Sequence, residues 1–116
     1  MAGNVTHIEI GSLPGTKTST FFAKLLGWSF DSWGDGAGVF GTPTCNVGLH
    51  ANSPTPQMVI YFSVDNIELA AGQVEEFAGK AGKISPEEVG FGRFCTCTDP
   101  EGVVFGLHQK PDIKSG

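Results

Sequence analysis

Polar and apolar residues alternate along several short stretches of the chain, and this alternation predicts strands. Residues 6–10 (THIEI) form the first stretch, and residues 58–64 (MVIYFSV), rich in β-branched and aromatic side chains, give the strongest strand pattern. Successive side chains of a strand point to opposite faces of its sheet, so a period of two is typical of a strand with one buried face. Further short strands are predicted at 28–33, 39–41, 47–51, 94–98 and 103–109, with a short extended stretch at 83–85.

Two longer segments have the apolar spacing of amphipathic helices. In residues 18–26 the bulky side chains recur at i, i+1, i+4 and i+5, which places them on one stripe, and Gly27 follows as a helix-ending residue. Residues 67–81 are the second predicted helix, with Asp65 or Asn66 as its N-cap. Helices and strands therefore alternate in an order typical of an α+β fold.

The predicted elements occur in the same order twice. Each half of the chain runs strand, helix, glycine and three short strands, and the tripeptide Gly-Leu-His ends both halves, at 48–50 and 106–108. Two matching orders with the same tripeptide at the same point indicate a duplicated βαβββ unit. We therefore expect a single domain over residues 1–116, made of a first module at 4–52 and a second at 57–110.

Composition and charge narrow the function classes. Seven basic and 12 acidic residues give a net charge of −5, and charged residues make up only 16% of the chain, against about 25% in an average soluble domain. Without a basic cluster, a nucleic-acid partner is not expected. No apolar run is long enough for a membrane span, and residues 1–7 do not resemble a secretory signal. The low charge suggests that a partner covers part of the surface.

The cysteines indicate the compartment. Cys45, Cys95 and Cys97 are an odd number, and Cys95 and Cys97 are too close along one predicted strand for a relaxed disulfide. Reduced thiols are the simplest interpretation, so a cytoplasmic location is expected.

Four stretches together resemble the vicinal oxygen chelate superfamily, which groups glyoxalase I, bleomycin-resistance proteins and extradiol dioxygenases. They are residues 7–10 (HIEI), 21–28 (FFAKLLGW), 61–67 (YFSVDNI) and 99–107 (DPEGVVFGL). The resemblance implies an α+β fold in which two βαβββ modules form curled mixed sheets around a cleft. It also implies a homodimer. It does not select an activity, because one fold hosts many functions.

The resemblance also bears on metal binding. Metalloenzymes of this superfamily hold a divalent ion with four side chains, whose positions fall here on His7, Gly48, Val59 and Gly106. Only His7 has a side chain that ligates metals, and a divalent ion needs several nitrogen or oxygen donors. The sequence therefore predicts no metal at the usual site and no cofactor.

Strand alternation sorts the chemically interesting side chains by face. Core positions are expected for Ile8, Ile10, Leu49, Ile60, Phe62, Val64, Phe105 and Leu107. The intervening positions then bring His7, Glu9, His50, Tyr61 and His108 to one concave surface. This cluster predicts a polar pocket, in which a carboxylate beside a histidine orients it for proton transfer. The alternative is that these groups only satisfy one another by hydrogen bonds.

Trp33 is the further ligand-binding candidate, since it lies beside a glycine-rich turn where it would stack on a flat molecule; packing in the core or at a dimer interface is its alternative role. We expect a metal-independent protein that binds a small molecule in the cleft between the modules. The alternative is a glyoxalase-like lyase or isomerase in which Glu9 or a histidine, His7 first among them, acts as general base. In that alternative, His50 and His108 would join His7 or Glu9 in a displaced divalent-metal site.

Overall fold

The computed structural model describes residues 2–13 and 17–111. The chain divides into two compact units. The N-terminal unit is His7–Val59, and the C-terminal unit comprises Ile60–Gly116 together with Met1–Thr6. Both helices and strands are present, so the predicted α+β class is confirmed. Neither helix of the described residues is long and apolar enough to cross a membrane.

The first half of the chain forms one strand, one helix and three further strands. They are β1 (Val5–Gly11), α1 (Lys17–Leu26), β2 (Ser29–Gly34), β3 (Ala37–Gly41) and β4 (Asn46–His50). The strand order in the N-terminal unit is β2-β3-β4-β1. β1 is parallel to β4, whereas β2, β3 and β4 pair antiparallel in sequence order. Because successive side chains of a strand point to opposite faces, the side chains at i and i+2 of β1 share one face of this sheet.

The core of the N-terminal unit lies between this sheet and α1. Its buried residues are Ile10, Phe40, Val47 and Leu49. The rings of Phe22 and Trp28 are stacked, with centroids 6.1 Å apart, and both also contact Phe40. The predicted core positions at Ile8, Ile10 and Leu49 are confirmed.

The second half of the chain repeats the same order of elements. They are β5 (Gln57–Ser63), α2 (Ile67–Glu76), β6 (Lys80–Ala81), β7 (Arg93–Thr98) and β8 (Val104–Gln109). The strand order is β5-β8-β7-β6, with β5 parallel to β8. The core under α2 contains Ile67, Ala71, Cys95, Cys97 and Leu107, with Val64 and Phe105 packed against it.

Helix α2 is shorter than predicted. It ends at Glu76 and not at residue 81, because a Schellman motif closes it: the N–H of Ala78 donates to Glu75 O and the N–H of Gly79 donates to Val74 O. Ala78 is the left-handed residue of this motif, with φ of 72°. This position usually carries glycine. Because it carries alanine here, the sequence pattern did not predict the end of the helix.

The core position predicted for Ile60 is wrong. The side chain of Ile60 is 44% exposed, because α2 packs against β6, β7 and β8 and leaves this part of β5 uncovered. Val59 and Tyr61, on the other face of the strand, are buried.

The strand registers of the two units correspond position by position. In the N-terminal unit Glu9 lies beside Gly48, and Gly11 beside His50. In the C-terminal unit Tyr61 lies beside Gly106, and Ser63 beside His108. The two Gly-Leu-His tripeptides therefore take the same place in their sheets. The module boundaries themselves stay a prediction.

Candidate functional site

His7 and Glu9 are brought together by the geometry of β1. They are two residues apart, so their side chains share a face of the strand, and His7 Nε2 lies 2.9 Å from Glu9 Oε1. The His7 side chain is buried, whereas that of Glu9 is 27% exposed. The imidazole therefore holds the carboxylate from its buried side.

His50 reaches the same carboxylate from β4. Its Nδ1 lies 2.8 Å from Glu9 Oε2, and its side chain is 44% exposed. Two glycines provide the space. A Cβ at Gly48 would collide with the Glu9 carboxylate, and one at Gly11 would lie 2.9 Å from His50 Nε2. The structure thus joins His7, Glu9 and His50, which we call the His-Glu-His cluster.

The Glu9 carboxylate is ionised at neutral pH. Its burial raises the pKa, but hydrogen bonds and charge interactions with His7 and His50 outweigh the burial and hold the pKa below its ordinary value of 4.5. An ionised carboxylate only accepts hydrogen bonds. His7 Nε2–H and His50 Nδ1–H are consequently the donors. When His50 is neutral with its proton on Nδ1, Nε2 is an acceptor, and this atom makes no hydrogen bond to any described residue.

Tyr61 is a buried residue of the C-terminal unit. Its hydroxyl is hydrogen-bonded to Thr96 Oγ1 at 2.9 Å, and its ring meets that of Phe94 edge to face at 5.4 Å. The ring lies over Gly106, where an added Cβ would overlap it. These contacts fix the ring in place.

His108 is also buried in the C-terminal unit, with 3% of the residue exposed. Its Nδ1 lies 2.7 Å from Thr6 Oγ1, its Nε2 lies 2.6 Å from the carbonyl oxygen of Phe91, and its ring stacks on Phe94 at 4.7 Å. The carbonyl only accepts, so Nε2–H is its donor and Nδ1 accepts from Thr6. Both ring nitrogens of His108 therefore have protein partners.

Trp33 lies on β2 at a bulge, where the pairing with β3 shifts between Ser32 and Gly34. The indole is 59% exposed. This position is consistent with the ligand contact predicted for Trp33 and leaves it a prediction.

Gly11 is a site residue that the sequence reasoning missed. In parallel β1 and β4 it is the register partner of His50, and its missing side chain leaves the imidazole its place. The available signal was its position two residues after Glu9, on the same face of the strand.

Solved structures similar to this chain share its fold at low sequence identity. A hypothetical protein from Bacillus halodurans C-125 is 15% identical with a TM-score of 0.72, over 98% of this chain and 99% of that one. Methylmalonyl-CoA epimerase from Mycobacterium tuberculosis is 12% identical with a TM-score of 0.70, over 95% and 89%. A homoprotocatechuate 2,3-dioxygenase variant from B. fuscum is 14% identical with a TM-score of 0.75, over 98% of this chain and 34% of that one.

This chain has the vicinal oxygen chelate fold. It spans about a third of the dioxygenase chain and most of the epimerase and the hypothetical protein. No family model and no curated protein sequence matches it.

The residues present do not fit the metal of vicinal oxygen chelate metalloenzymes. Of the four corresponding positions, Val59 is buried and offers no donor, the space beside Gly48 is taken by the Glu9 carboxylate, and the space beside Gly106 is taken by the Tyr61 ring. Within residues 2–13 and 17–111, no group of three or more His, Cys, Asp or Glu side chains is placed to hold a metal ion.

Proposed function

We propose that this protein binds a small organic molecule without a metal ion, and that the His-Glu-His cluster holds the polar group of that ligand. One observation carries the proposal: the ionised Glu9 carboxylate is hydrogen-bonded to the buried His7 and also orients the half-exposed His50 by a hydrogen bond. A preorganised polar group at the edge of an apolar core is typical of small-molecule sites.

The hydrogen bonds within the cluster define the group that the ligand presents. In the neutral form of His50, Nδ1–H is donated to Glu9 and Nε2 is a hydrogen-bond acceptor. The ligand that fits therefore presents a hydroxyl or N–H group to His50. Its flat part, where it has one, would lie on the exposed indole of Trp33. Ligand contacts by Tyr61 and His108 stay predictions, since both side chains already have partners in the C-terminal unit.

A thermal-shift screen tests the proposal. The full chain, with a chelator present, is screened against small metabolites that carry hydroxyl or N–H groups, because a ligand that binds only the folded state raises Tm. For a hit, we expect Glu9→Gln and His50→Ala to weaken binding about tenfold, equivalent to about 1.4 kcal/mol.

Glu101→Gln is the matched control, because it removes one carboxylate from an exposed turn elsewhere in the chain. It is expected to bind every hit as the wild type does. The proposal fails if no compound raises Tm, or if Glu9→Gln and His50→Ala bind the hits with unchanged affinity.

The Glu9–His50 pair also favours a second candidate, a lyase or isomerase in which His50 is the general base. A carboxylate behind a histidine fixes its tautomer and directs the other nitrogen at a substrate. Glu9 is the poorer base, because its pKa is lowered and both of its oxygens accept hydrogen bonds.

Incubating the screening hits with the protein in D2O separates the two candidates. A base that removes a proton next to a carbonyl leaves deuterium on that carbon, which proton NMR detects. Deuterium incorporation that is lost in His50→Ala supports the enzyme; unchanged ligand supports the binding protein.

We further propose a homodimer in a reducing, cytoplasmic environment. Phe21 and Leu25 of α1 are 57% and 62% exposed, and covering them with a second copy would remove this apolar surface from water. The three cysteines are free thiols. A solution mass near 12.2 kDa would rule out the dimer.

A further inference from the structure

Asp31 lies in the same row of the N-terminal sheet as Glu9. Glu9 is the register partner of Gly48, and Gly48 is that of Val39. Val39 in turn pairs with Asp31, so the row crosses the sheet from β1 through β4 and β3 to β2. Register partners on neighbouring strands place their side chains on one face of a sheet. Asp31 therefore shares a face with the His-Glu-His cluster.

Contacts of the neighbouring residues on β2 agree with this assignment. Phe30 packs on Phe40 in the core beside α1, with ring centroids 4.8 Å apart. Ser29 lies on the other face, since its Oγ takes the place that a Cβ of Gly41 would occupy. Asp31 comes two residues after Ser29 and so lies with it on the face away from α1.

The charges of this face are not balanced. The Glu9 carboxylate is hydrogen-bonded to both imidazoles of the His-Glu-His cluster. The exposed Asp31 carboxylate, in contrast, has no hydrogen bond or ion pair with any described residue. Strands β1–β4 contain no lysine or arginine, and Lys17 and Lys24 both belong to α1, on the opposite face. Asp31 is therefore a carboxylate without a cation.

The surface between the cluster and Asp31 is low and apolar. Gly48 has no side chain, and Val39 is half-buried. Neighbouring strands are about 4.8 Å apart, so the cluster above β4 and the carboxylate on β2 are separated by about 10 Å. Trp33, also on β2, has an indole that is 59% exposed, and the face of an indole attracts cations.

We propose that the small molecule held by the His-Glu-His cluster is an organic cation of the amine class. Its hydroxyl or N–H group donates to His50 Nε2, and its ammonium lies on Asp31 near Trp33. Its apolar part lies between these two ends, on Val39. Because Asp31 gives up no ion pair of its own to bind an ammonium, the attraction is a net gain. This inference rests on the function proposed above and adds the charge of the ligand.

Three phenols test that charge by calorimetric titration of the full chain with a chelator present: tyramine, 4-ethylphenol and 3-(4-hydroxyphenyl)propionate. All three have a hydroxyl donor at one end, and the other end is a cation, a neutral group or an anion. We expect tyramine to bind about fivefold more tightly than 4-ethylphenol, the upper end of what one exposed charge pair contributes. The propionate should bind more weakly than either, and added salt should reduce the preference for tyramine.

Asp31→Asn removes the charge and keeps the size of the side chain. Because Asp31 is exposed, we expect this variant to fold, to bind tyramine about fivefold more weakly and to bind 4-ethylphenol as the wild type does. Glu101→Gln is the matched control, since it removes the same charge from an exposed turn; its affinity for tyramine should equal that of the wild type.

The proposal is overturned if none of the phenols binds, if tyramine binds no more tightly than 4-ethylphenol, or if Asp31→Asn and Glu101→Gln have equal effects. His50→Ala distinguishes this failure from that of the proposed function. If His50→Ala weakens binding of 4-ethylphenol while tyramine is not preferred, the binding site stands and only the charge of its ligand is refuted. If His50→Ala binds all three phenols as the wild type does, both proposals fail.

Discussion

The N-terminal and C-terminal units use the same strand positions in different ways. His50 and His108 both end a Gly-Leu-His tripeptide and lie beside equivalent residues of the parallel neighbouring strand. Yet the His50 side chain is 44% exposed and oriented by a carboxylate, whereas His108 is buried with both nitrogens hydrogen-bonded inside its unit.

The difference follows from one residue on the first strand of each unit. Gly48 makes room for Glu9, and Gly106 makes room for Tyr61. The carboxylate is hydrogen-bonded to two imidazoles. The tyrosine ring instead packs against Phe94 and fills the space. A glycine beside a long neighbouring side chain therefore creates a polar site or a packed interior, depending on what that neighbour is.

The largest expected effect concerns the two histidines. His108→Ala removes a buried ring and leaves Thr6 Oγ1 and the Phe91 carbonyl without this partner, so we expect a loss of about 3 kcal/mol in the free energy of unfolding. His50→Ala removes a half-exposed ring and should cost about 1 kcal/mol or less. Urea denaturation measures both, and equal losses would remove the distinction between the units.

The glycines give the next largest difference. Gly106→Ala places a methyl group against the Tyr61 ring, which Thr96 and Phe94 hold in place, and we expect a loss of about 1–3 kcal/mol. Gly48→Ala displaces a partly exposed carboxylate, so it should lower the free energy of unfolding by less than Gly106→Ala does. It should weaken the binding of compounds found in the thermal-shift screen by more. Melting temperatures and titrations of both variants check this, and a more stable Gly106→Ala would contradict it.

The ionic and neutral contacts should differ in their response to acid. The pKa of Glu9 is lower in the folded protein than its ordinary value of 4.5. Its contribution is therefore complete above that pH and is lost as the pH falls through the folded pKa. The difference in unfolding free energy between wild type and Glu9→Gln, about 1 kcal/mol at neutral pH, should shrink below pH 4.5.

Tyr61→Phe is the reference for that experiment, since it removes a neutral hydrogen bond to Thr96. Its effect on stability should stay constant over the same acid range. A constant difference for Glu9→Gln as well would mean that the carboxylate has an ordinary pKa in the folded state.

The smallest expected effect compares the ends of the two helices. Gly27 follows α1 with φ of 71°, and Ala78 follows α2 with φ of 72°. A side chain is strained in this conformation, so Ala78→Gly should raise the free energy of unfolding by about 0.5–1 kcal/mol and Gly27→Ala should lower it by a similar amount. Thermal unfolding of both variants measures this, and it would be refuted if Ala78→Gly were destabilising.

The sequence predicted most of the elements and all three residues of the His-Glu-His cluster. Alternation along β1 placed His7 and Glu9 on one face, and the repeat placed His50 at the end of β4. It did not show that Tyr61 would be buried, because alternation separates the faces of a strand without saying which face the rest of the unit covers. Ile60 was misassigned for the same reason.

The sequence pattern did not predict where α2 ends or what the glycines do, for another reason. Both depend on contacts between distant parts of the chain or on an uncommon backbone conformation. Ala78 adopts the left-handed conformation that propensity assigns to glycine, and Gly48 is explained only by its register with Glu9.

The positions of the thiols have a practical consequence. Cys95 and Cys97 lie in the core of the C-terminal unit, and burial together with the neighbouring Cys95 raises the pKa of the Cys97 thiol to about 12. Cys45 is only partly buried and belongs to the N-terminal unit. Because the thiolate is the reactive form and only Cys95 and Cys97 are buried, Cys45 is expected to be alkylated in the folded protein, whereas alkylation of the other two requires the C-terminal unit to open. The two buried thiols of the native chain are therefore a built-in probe for the opening of that unit.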